Sequence, residues 1–409
     1  MSEAAGVLIL GAGQAGAQAV HSLRLAGYEG AITLAGDEAH PPYQRPPLSK
    51  AYLLGALPGD DLPLKPSDFW TAMDATLTLG AGAVAIDRDD KIVAFADGAT
   101  IRYDALILAT GARARTLSLP GGELSGIATL RGWDDADRLK AMLPAAANVV
   151  VVGGGFIGLE IAAAARTAGA TTTVLEAAPR LLARTCGHAI SDFYAREHEA
   201  RGVGVRLASP PAAFEGDGRL EAVTLVDGTR LDAALVVVGV GAVPNAELAL
   251  SAGLECGDGI IVDDAGRTND PSIFAIGDVA ASWSPLYGRR MRLESVQNAI
   301  DGAKAVAAAI TGRPAPPVSA PWNWSDQYDL KLQIAGAADS FEGEIIRGDP
   351  ESRSFAAFYM KDGRLEGCDA VNAPSEFAAA RLLIAKRTPL DPAALIDTSV
   401  PMKSFLKPA

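Results

Sequence analysis

The chain has 409 residues, 49% hydrophobic and 21% charged, which leaves room for two to three globular domains with sizeable cores. Its formal net charge is −13, so it lacks the broad basic face that nucleic-acid binding needs, and any anionic ligand must be held locally, for example at helix N-termini. No apolar run reaches the ~18 residues of a membrane span, and the opening MSEAAGVLIL has no basic region, which predicts no signal peptide, no membrane association and a cytoplasmic protein.

Gly6–Leu10 is a short apolar run that reads as a buried strand. Gly11, Gly13 and Gly16 follow in GAGQAG, then the amphipathic stretch Ala17–Leu25 and a second strand, Ala31–Ala35. This is a β–α–β unit with a glycine turn. The glycines allow a tight turn, close approach of a pyrophosphate and close helix–strand packing, and the helix N-terminus adds partial positive charge. An acid is expected about 20 residues on to bind the ribose. The nearest is Asp37, 26 residues after Gly11, either a ribose partner or a solvated turn residue.

Residues 39–66 are too rich in proline for a long helix or a central strand. Asp104–Thr110 is the next buried strand, ending at Gly111. From Asn148 the first theme returns. Val149–Val152 leads into Gly153-Gly154-Gly155-Phe156-Ile157-Gly158, an Ala-rich helix follows, and Thr171–Glu176 closes a second β–α–β unit. Two such units imply two nucleotide-binding domains. Glu176 ends its strand 23 residues after Gly153. An acid there bonds the free 2′-hydroxyl of NAD and repels the 2′-phosphate of NADP. No arginine follows it immediately, Arg180 and Arg184 being the nearest, so NADH is the expected cofactor over NADPH.

Ala233–Val240 reads as a buried strand, Ile273–Ile276 as a short one ending at Gly277-Asp278, and Glu294–Ile310 as a helix. Pro314, Pro316, Pro317 and Pro321 mark 312–321 as a linker. The remainder, with a strand at Ser354–Met360 and a helix near Ser375–Lys386, reads as a small α+β domain. Cys186, Cys256 and Cys368 form no CxxC pair, which fits a reducing compartment. His21, His40, His188 and His198 have no metal-binding spacing and read as structural or exposed, so no metal is expected. Arg289, Arg290 and Arg292 read as a solvated loop, or alternatively as a docking patch for an acidic protein.

The succession GAGQAG, YQRPPLSKAYL, ATGAR, GGGFIGLE, GVGAVPN, IFAIGD and ESVQNA resembles the flavoprotein reductases with two dinucleotide domains, and Arg45-Pro46-Pro47-Leu48-Ser49-Lys50 narrows this to the ferredoxin and rubredoxin reductases of bacterial oxygenase systems. The resemblance implies an α/β fold of glutathione-reductase-like type, with two Rossmann-like dinucleotide-binding domains and a small α+β C-terminal domain. It implies a discontinuous FAD domain at 1–111 and 245–320, an NAD domain at 112–244 and a C-terminal domain at 321–409. It further implies FAD contacts at Ala15, Asp37, Arg45, Ala83, Thr110, Gly111, Arg131, Gly277 and Asp278, besides the glycine turn. The resemblance also implies that Val296 lies below the flavin's pyrimidine edge, where a helix N-terminus would stabilise negative charge.

Lys50 and Trp324 are implied beside the isoalloxazine and Glu160 near the nicotinamide, as the candidate catalytic residues. The plain alternatives are a surface lysine, core aromatics at Trp322 and Trp324, and a buried hydrogen-bonded glutamate without a redox role. Related disulfide reductases need a redox cysteine pair, and related peroxidases need a cysteine in the N-terminal segment. Here the first cysteine is Cys186, which disfavours both. The implied reaction is hydride transfer from NADH to FAD, then single electrons to a [2Fe–2S] ferredoxin supplying a haem monooxygenase or Rieske oxygenase. Rubredoxin, or a small acceptor such as a quinone, is the alternative. The sequence leaves the oligomeric state open.

Overall fold

The computed structural model describes residues 5–337 and 341–406. The chain divides into two compact units: Met1–Gln44, Asp60–Arg113 and Val243–Val318 in one, Arg45–Gly59, Ala114–Ala242 and Ser319–Ala409 in the other.

The first unit is built on a parallel sheet in the order Ala75–Leu79, Ile32–Gly36, Gly6–Leu10, Thr100–Leu108, with Ile273–Ala275 also on the last strand. Its central strands are continuous apolar runs, as sheets covered on both faces require. The helix Gln14–Leu25 buries Ala15, Ala17, Ala19, Val20 and Leu23 in one core with Ala299, Ala303, Val306 and Ala307 of the helix Val296–Thr311. Small side chains on both helices let them approach closely. The helix starts at Gln14 rather than Ala17, directly after Gly13. Thr100–Leu108 starts four residues before the expected Asp104, because its first half also pairs antiparallel with Ile92–Phe95 of the hairpin completed by Ala83–Asp87.

The expected loop at Arg289, Arg290 and Arg292 is instead a strand, Arg289–Arg292, in the sheet Cys256–Gly257, Gly259–Val262, Ala280–Ser284, Arg289–Arg292. Its single apolar residue, Met291, is buried, which gives no alternation to read.

The second unit holds an all-parallel sheet in the order Val203–Arg206, Thr171–Leu175, Asn148–Val152, Leu235–Val238, Ile127–Thr129. The helix Phe156–Thr167 is its crossover. An antiparallel meander, Pro211–Gly216, Leu220–Leu225 and Arg230–Asp232, shares a core with it. The same unit contains a five-stranded antiparallel sheet, Trp322–Gln327, Leu330–Gly336, Arg364–Val371, Ser354–Lys361 and Gly343–Asp349, with the helix Pro374–Lys386.

Candidate functional site

In the first glycine turn, Gly11 has φ 116°, and a Cβ there would lie 2.1 Å from the Ala109 carbonyl oxygen. A Cβ on Gly13 would meet nothing within 4 Å, and Gly13 offers no side-chain cap to the helix it precedes. Uncapped N–H groups facing open space are what a pyrophosphate needs. Two other expected residues are brought to this turn. A Cβ on Gly277 would sit 3.0 Å from Ala15 Cβ, which sets Gly277-Asp278 against the helix start. Val296 is the first residue of its helix, and Ser295 Oγ caps it by accepting from Asn298 N at 3.1 Å. Asn298 Nδ2 in turn donates to the Leu293 carbonyl at 2.8 Å.

Asp37 is exposed, its Oδ1 accepting from Glu38 N at 3.1 Å, and Gly82, next to Ala83, lies beside it. Thr110 Oγ1 donates to the Asn245 carbonyl at 2.8 Å and Asn245 Nδ2 donates to the Thr110 carbonyl at 2.9 Å, a clasp that holds Thr110-Gly111. Asn245 stands in the quoted GVGAVPN, but nothing in that segment announces this partner.

The second turn repeats the first. Gly153 has φ 109°, and a Cβ on Gly155 would meet nothing within 4 Å. Phe156 is half-buried and Ile157 exposed at the helix start. Glu176 is fixed by backbone: Oε2 accepts from Gly154 N and Oε1 from Ala178 N, both at 2.7 Å. Arg180 is committed elsewhere. Its guanidinium donates to the carbonyls of Cys186 (2.6 Å) and Ala183 (2.8 Å) and to Ser191 Oγ (2.8 Å). Arg184 lies beside Gly241.

Lys50, Glu160 and Trp324 come together in the second unit. The turn Pro46–Ser49 and the strand Trp322–Gln327 flank the helix that carries Glu160. Glu160 is only 6% exposed. Ser325 Oγ donates to its Oε1 at 2.6 Å, Ser49 Oγ donates to its Oε2 at 2.5 Å, and Lys50 Nζ stands 3.2 Å from Oε1. Lys50 Nζ also lies 3.5 Å from Asp326 Oδ2 and 5.7 Å from the centre of a Trp324 ring, within cation–π range. Burial raises the Glu160 carboxyl above its usual range, while the Lys50 ammonium and the two serine hydroxyls oppose the rise. The surface reading of Lys50 therefore gives way to a half-buried lysine paired with a buried carboxyl. Ser49, Ser325 and Asp326 carry no signal of this role in the sequence, although Ser49 adjoins Lys50 and Ser325 adjoins Trp324.

Trp322 behaves as a core aromatic, packed on Phe377 at 5.5 Å between ring centroids, with Arg381 above it. Arg45 donates to the Arg131 carbonyl at 2.8 Å, so these two expected residues also meet. Of the arginine strand, Arg292 pairs with Asp258 (3.0 Å) and Glu294 (2.6 Å), and Arg290 donates to the Val262 carbonyl (2.6 Å). Among the described residues no cluster of His, Cys, Asp and Glu could hold a metal ion, and no helix is long and apolar enough to cross a membrane.

Two glycine turns on two parallel sheets, each opening an uncapped helix, define a protein that binds two dinucleotides. Similarity to known proteins gives its class. Residues 5–303 match the pyridine nucleotide-disulphide oxidoreductase family, and residues 322–406 match the reductase C-terminal domain. The chain belongs to this family, whose members use FAD and NAD(P)H, and it is a flavin-dependent oxidoreductase.

It is 44% identical to rhodocoxin reductase of Rhodococcus erythropolis, over 97% of this chain and 93% of that one. It is 40% identical to putidaredoxin reductase CamA of Pseudomonas putida, over 98% and 97%. Among solved structures, the covalent putidaredoxin reductase–putidaredoxin complex superposes with a TM-score of 0.96 at 39% identity, covering 99% of each chain. The fold class and the reductase family expected from the motifs are borne out.

Proposed function

We propose that the protein takes a hydride from NADH onto FAD and passes single electrons to a [2Fe–2S] ferredoxin that supplies a haem monooxygenase or a Rieske oxygenase in the cytoplasm. The observation that carries this reading is the whole-length likeness to a reductase solved in covalent complex with putidaredoxin. The cysteines support it by exclusion. Cys186 and Cys368 are buried with thiols pushed well up by burial, the opposite of a redox-active thiolate.

Bound flavin supplies the conversion of a two-electron hydride into one-electron transfers. The chain's residues orient and tune it. The N–H groups opened by Gly11, Gly13 and Gly16 hold the FAD pyrophosphate, with Ala15, Asp37, Ala83, Thr110, Gly111, Gly277 and Asp278 around it and with Arg45 and Arg131 as further contacts. The helix beginning at Val296 sets its positive end where negative charge collects on reduction. Gly153, Gly155, Phe156, Ile157 and Gly158 receive the NADH pyrophosphate, and Glu176 takes its ribose hydroxyls. Lys50, Glu160 and Trp324 meet the reacting rings. These assignments divide the chain into an FAD domain at 1–111 and 245–320, an NAD domain at 112–244 and a C-terminal domain at 321–409.

The test is NADH-driven cytochrome c reduction by the purified yellow protein, with and without a [2Fe–2S] ferredoxin. The expected result is a rate that depends on ferredoxin. A rate indifferent to ferredoxin, with NADH still bleaching the flavin, overturns the acceptor assignment.

A further inference from the structure

The hydrogen bonds around Glu160 extend well past its immediate partners. Ser325 Oγ, which donates to Glu160 Oε1, accepts from Gln327 Nε2 at 3.1 Å. Gln327 Oε1 lies 2.9 Å from His198 Nε2, and His198 Nδ1 lies 3.2 Å from the Tyr328 hydroxyl oxygen. Ser325, Gln327 and His198 are all at most 1% exposed. Ser325 and Gln327 share one face of the strand Trp322–Gln327, two residues apart, and His198 reaches them from the helix His188–Ala200.

The direction of each bond follows from the groups. An amide oxygen only accepts, so His198 Nε2 carries a proton and donates to Gln327. Burial lowers the His198 pKa, which keeps the ring neutral and leaves Nδ1 to accept from the Tyr328 hydroxyl. Every donor then points the same way: Tyr328 to His198, His198 to Gln327, Gln327 to Ser325, Ser325 to Glu160. The reverse orientation of the Gln327 amide would turn the Ser325 hydroxyl away from a buried carboxylate. A set of buried polar side chains carries a desolvation penalty that an apolar core avoids. Aligned toward one carboxylate, the bonds polarise one another and stabilise its charge.

We propose that Ser325, Gln327 and His198 are positioning residues whose bonds, running in series, keep Glu160 ionised beside Lys50. Its bearing on hydride transfer rests on the placement of Glu160 proposed above; the ionisation of Glu160 does not. The charged and titratable groups facing this chain are Lys50 and Asp326 near Glu160, and Tyr194, whose hydroxyl is raised by burial. Near His198 and Tyr328 they are Glu197, Arg201 and Arg166, with Asp329 and Arg353 pairing onto the first two. All stay in place in the variants below.

The experiment is an infrared pH titration of the oxidised holoprotein labelled with 13C-glutamate, the Glu160 carboxyl band being assigned by its loss in Glu160→Gln. Ser325→Ala is expected to raise the midpoint of Glu160 protonation by about one pH unit, a tenfold change in its ionisation constant, because it removes a bond to a charged acceptor. Gln327→Leu and His198→Phe are expected to shift it the same way by about threefold or more. Ser325→Thr, which keeps the hydroxyl, is expected to titrate like the unaltered protein. An unchanged midpoint in both Gln327→Leu and His198→Phe overturns the proposal. A second measurement needs no variant that must fold: 15N NMR of histidine-labelled holoprotein is expected to show His198 neutral with its proton on Nε2. A proton on Nδ1, or a charged ring at pH 7, overturns it equally.

Discussion

Replacing Glu176 is expected to convert the nucleotide preference. Its two oxygens accept backbone N–H bonds from Gly154 and Ala178 at 2.7 Å, which fixes the carboxylate at the turn proposed to receive NADH. A 2′-phosphate brought to the same place puts like charges about 4 Å apart. At an effective permittivity of about 20 this repulsion is about 4 kcal/mol per pair of unit charges, and solvent at a half-buried site reduces it to ~2 kcal/mol or more. That corresponds to a preference of about 30-fold to 1,000-fold for NADH over NADPH. Glu176→Ala removes the repulsion and the bonds to the 2′-hydroxyl together. The ratio of kcat/KM for NADPH to that for NADH should therefore rise by about 30-fold or more, through loss with NADH and gain with NADPH.

Glu176→Gln should fall between, because its amide NH2 must face one of the two backbone N–H donors and lose that bond. The assay is steady-state reduction of ferricyanide with each nucleotide, which keeps protein docking out of the rate. Arg180→Ala is the control. Its guanidinium is held by two carbonyls and a serine hydroxyl, so its loss should lower stability and leave the ratio alone. An unaltered protein that prefers NADPH, or a ratio that moves less than threefold in Glu176→Ala, refutes the reasoning.

Asp369 is buried, and desolvation raises its carboxyl from 3.8 to about 7 while it accepts from the Tyr359 hydroxyl at 2.6 Å. The folded protein then holds a proton that the unfolded chain releases, so stability should fall as pH rises from about 4 to about 7. The slope is near 1.36 kcal/mol per pH unit, for roughly 4 kcal/mol in all. Asp369→Asn keeps the acceptor for Tyr359, so its urea midpoint should drop much less between pH 5 and pH 8. An undiminished drop would remove Asp369 as the cause. A Cβ on Gly158 would fall 2.0 Å from the Gly153 carbonyl oxygen, so Gly158→Ala should abolish reduction by NADH while the flavin spectrum persists; an unchanged KM for NADH contradicts this. Lys50→Met leaves Glu160 buried without its cation. It should lower thermal stability by about 3 kcal/mol at pH 8 and by less at pH 5, where the carboxyl protonates more readily. Equal losses by calorimetry at the two pH values would contradict the ion pair.

Elements whose apolar residues run together are legible in the sequence: Gly6–Leu10, Asn148–Val152, Thr171–Leu175 and the helix Val296–Thr311 all fall within a few residues of expectation. The strand Arg289–Arg292 is not, because three of its four side chains are cationic and its sheet partner supplies the pattern instead. The candidate site divides the same way. Glycine turns announce themselves, since each glycine answers a steric demand set within a few residues. Ser49 and Ser325 do not, because their role depends on Glu160, which lies 111 and 165 residues away. A serine carries no signal for a partner that distant. The same holds for Asn245, whose clasp on Thr110 spans 135 residues.

The late acid of the first turn has a cause that spacing alone could not supply. Strand registers match Leu10 with Ala35 and Val152 with Leu175, so Gly36 is the counterpart of Glu176. A Cβ on Gly36 would lie 2.6 Å from Ala12 Cβ, whereas a Cβ on Gly154 would lie 3.1 Å from Glu176 Oε2 and 2.5 Å from a Leu181 methyl. The two turns therefore hold complementary pairs, Ala12 with Gly36 and Gly154 with Glu176. Only one member of each pair has a side chain, because both would fill the same space. In the second turn that space belongs to a carboxylate bonded to the turn's own N–H, which fits a free ribose hydroxyl. In the first turn it belongs to a methyl group, and the acid moves out to Asp37, exposed and not held by the turn's N–H groups. The two turns share a fold and the proposed pyrophosphate cradle, and they differ at the position proposed to meet an adenosine ribose.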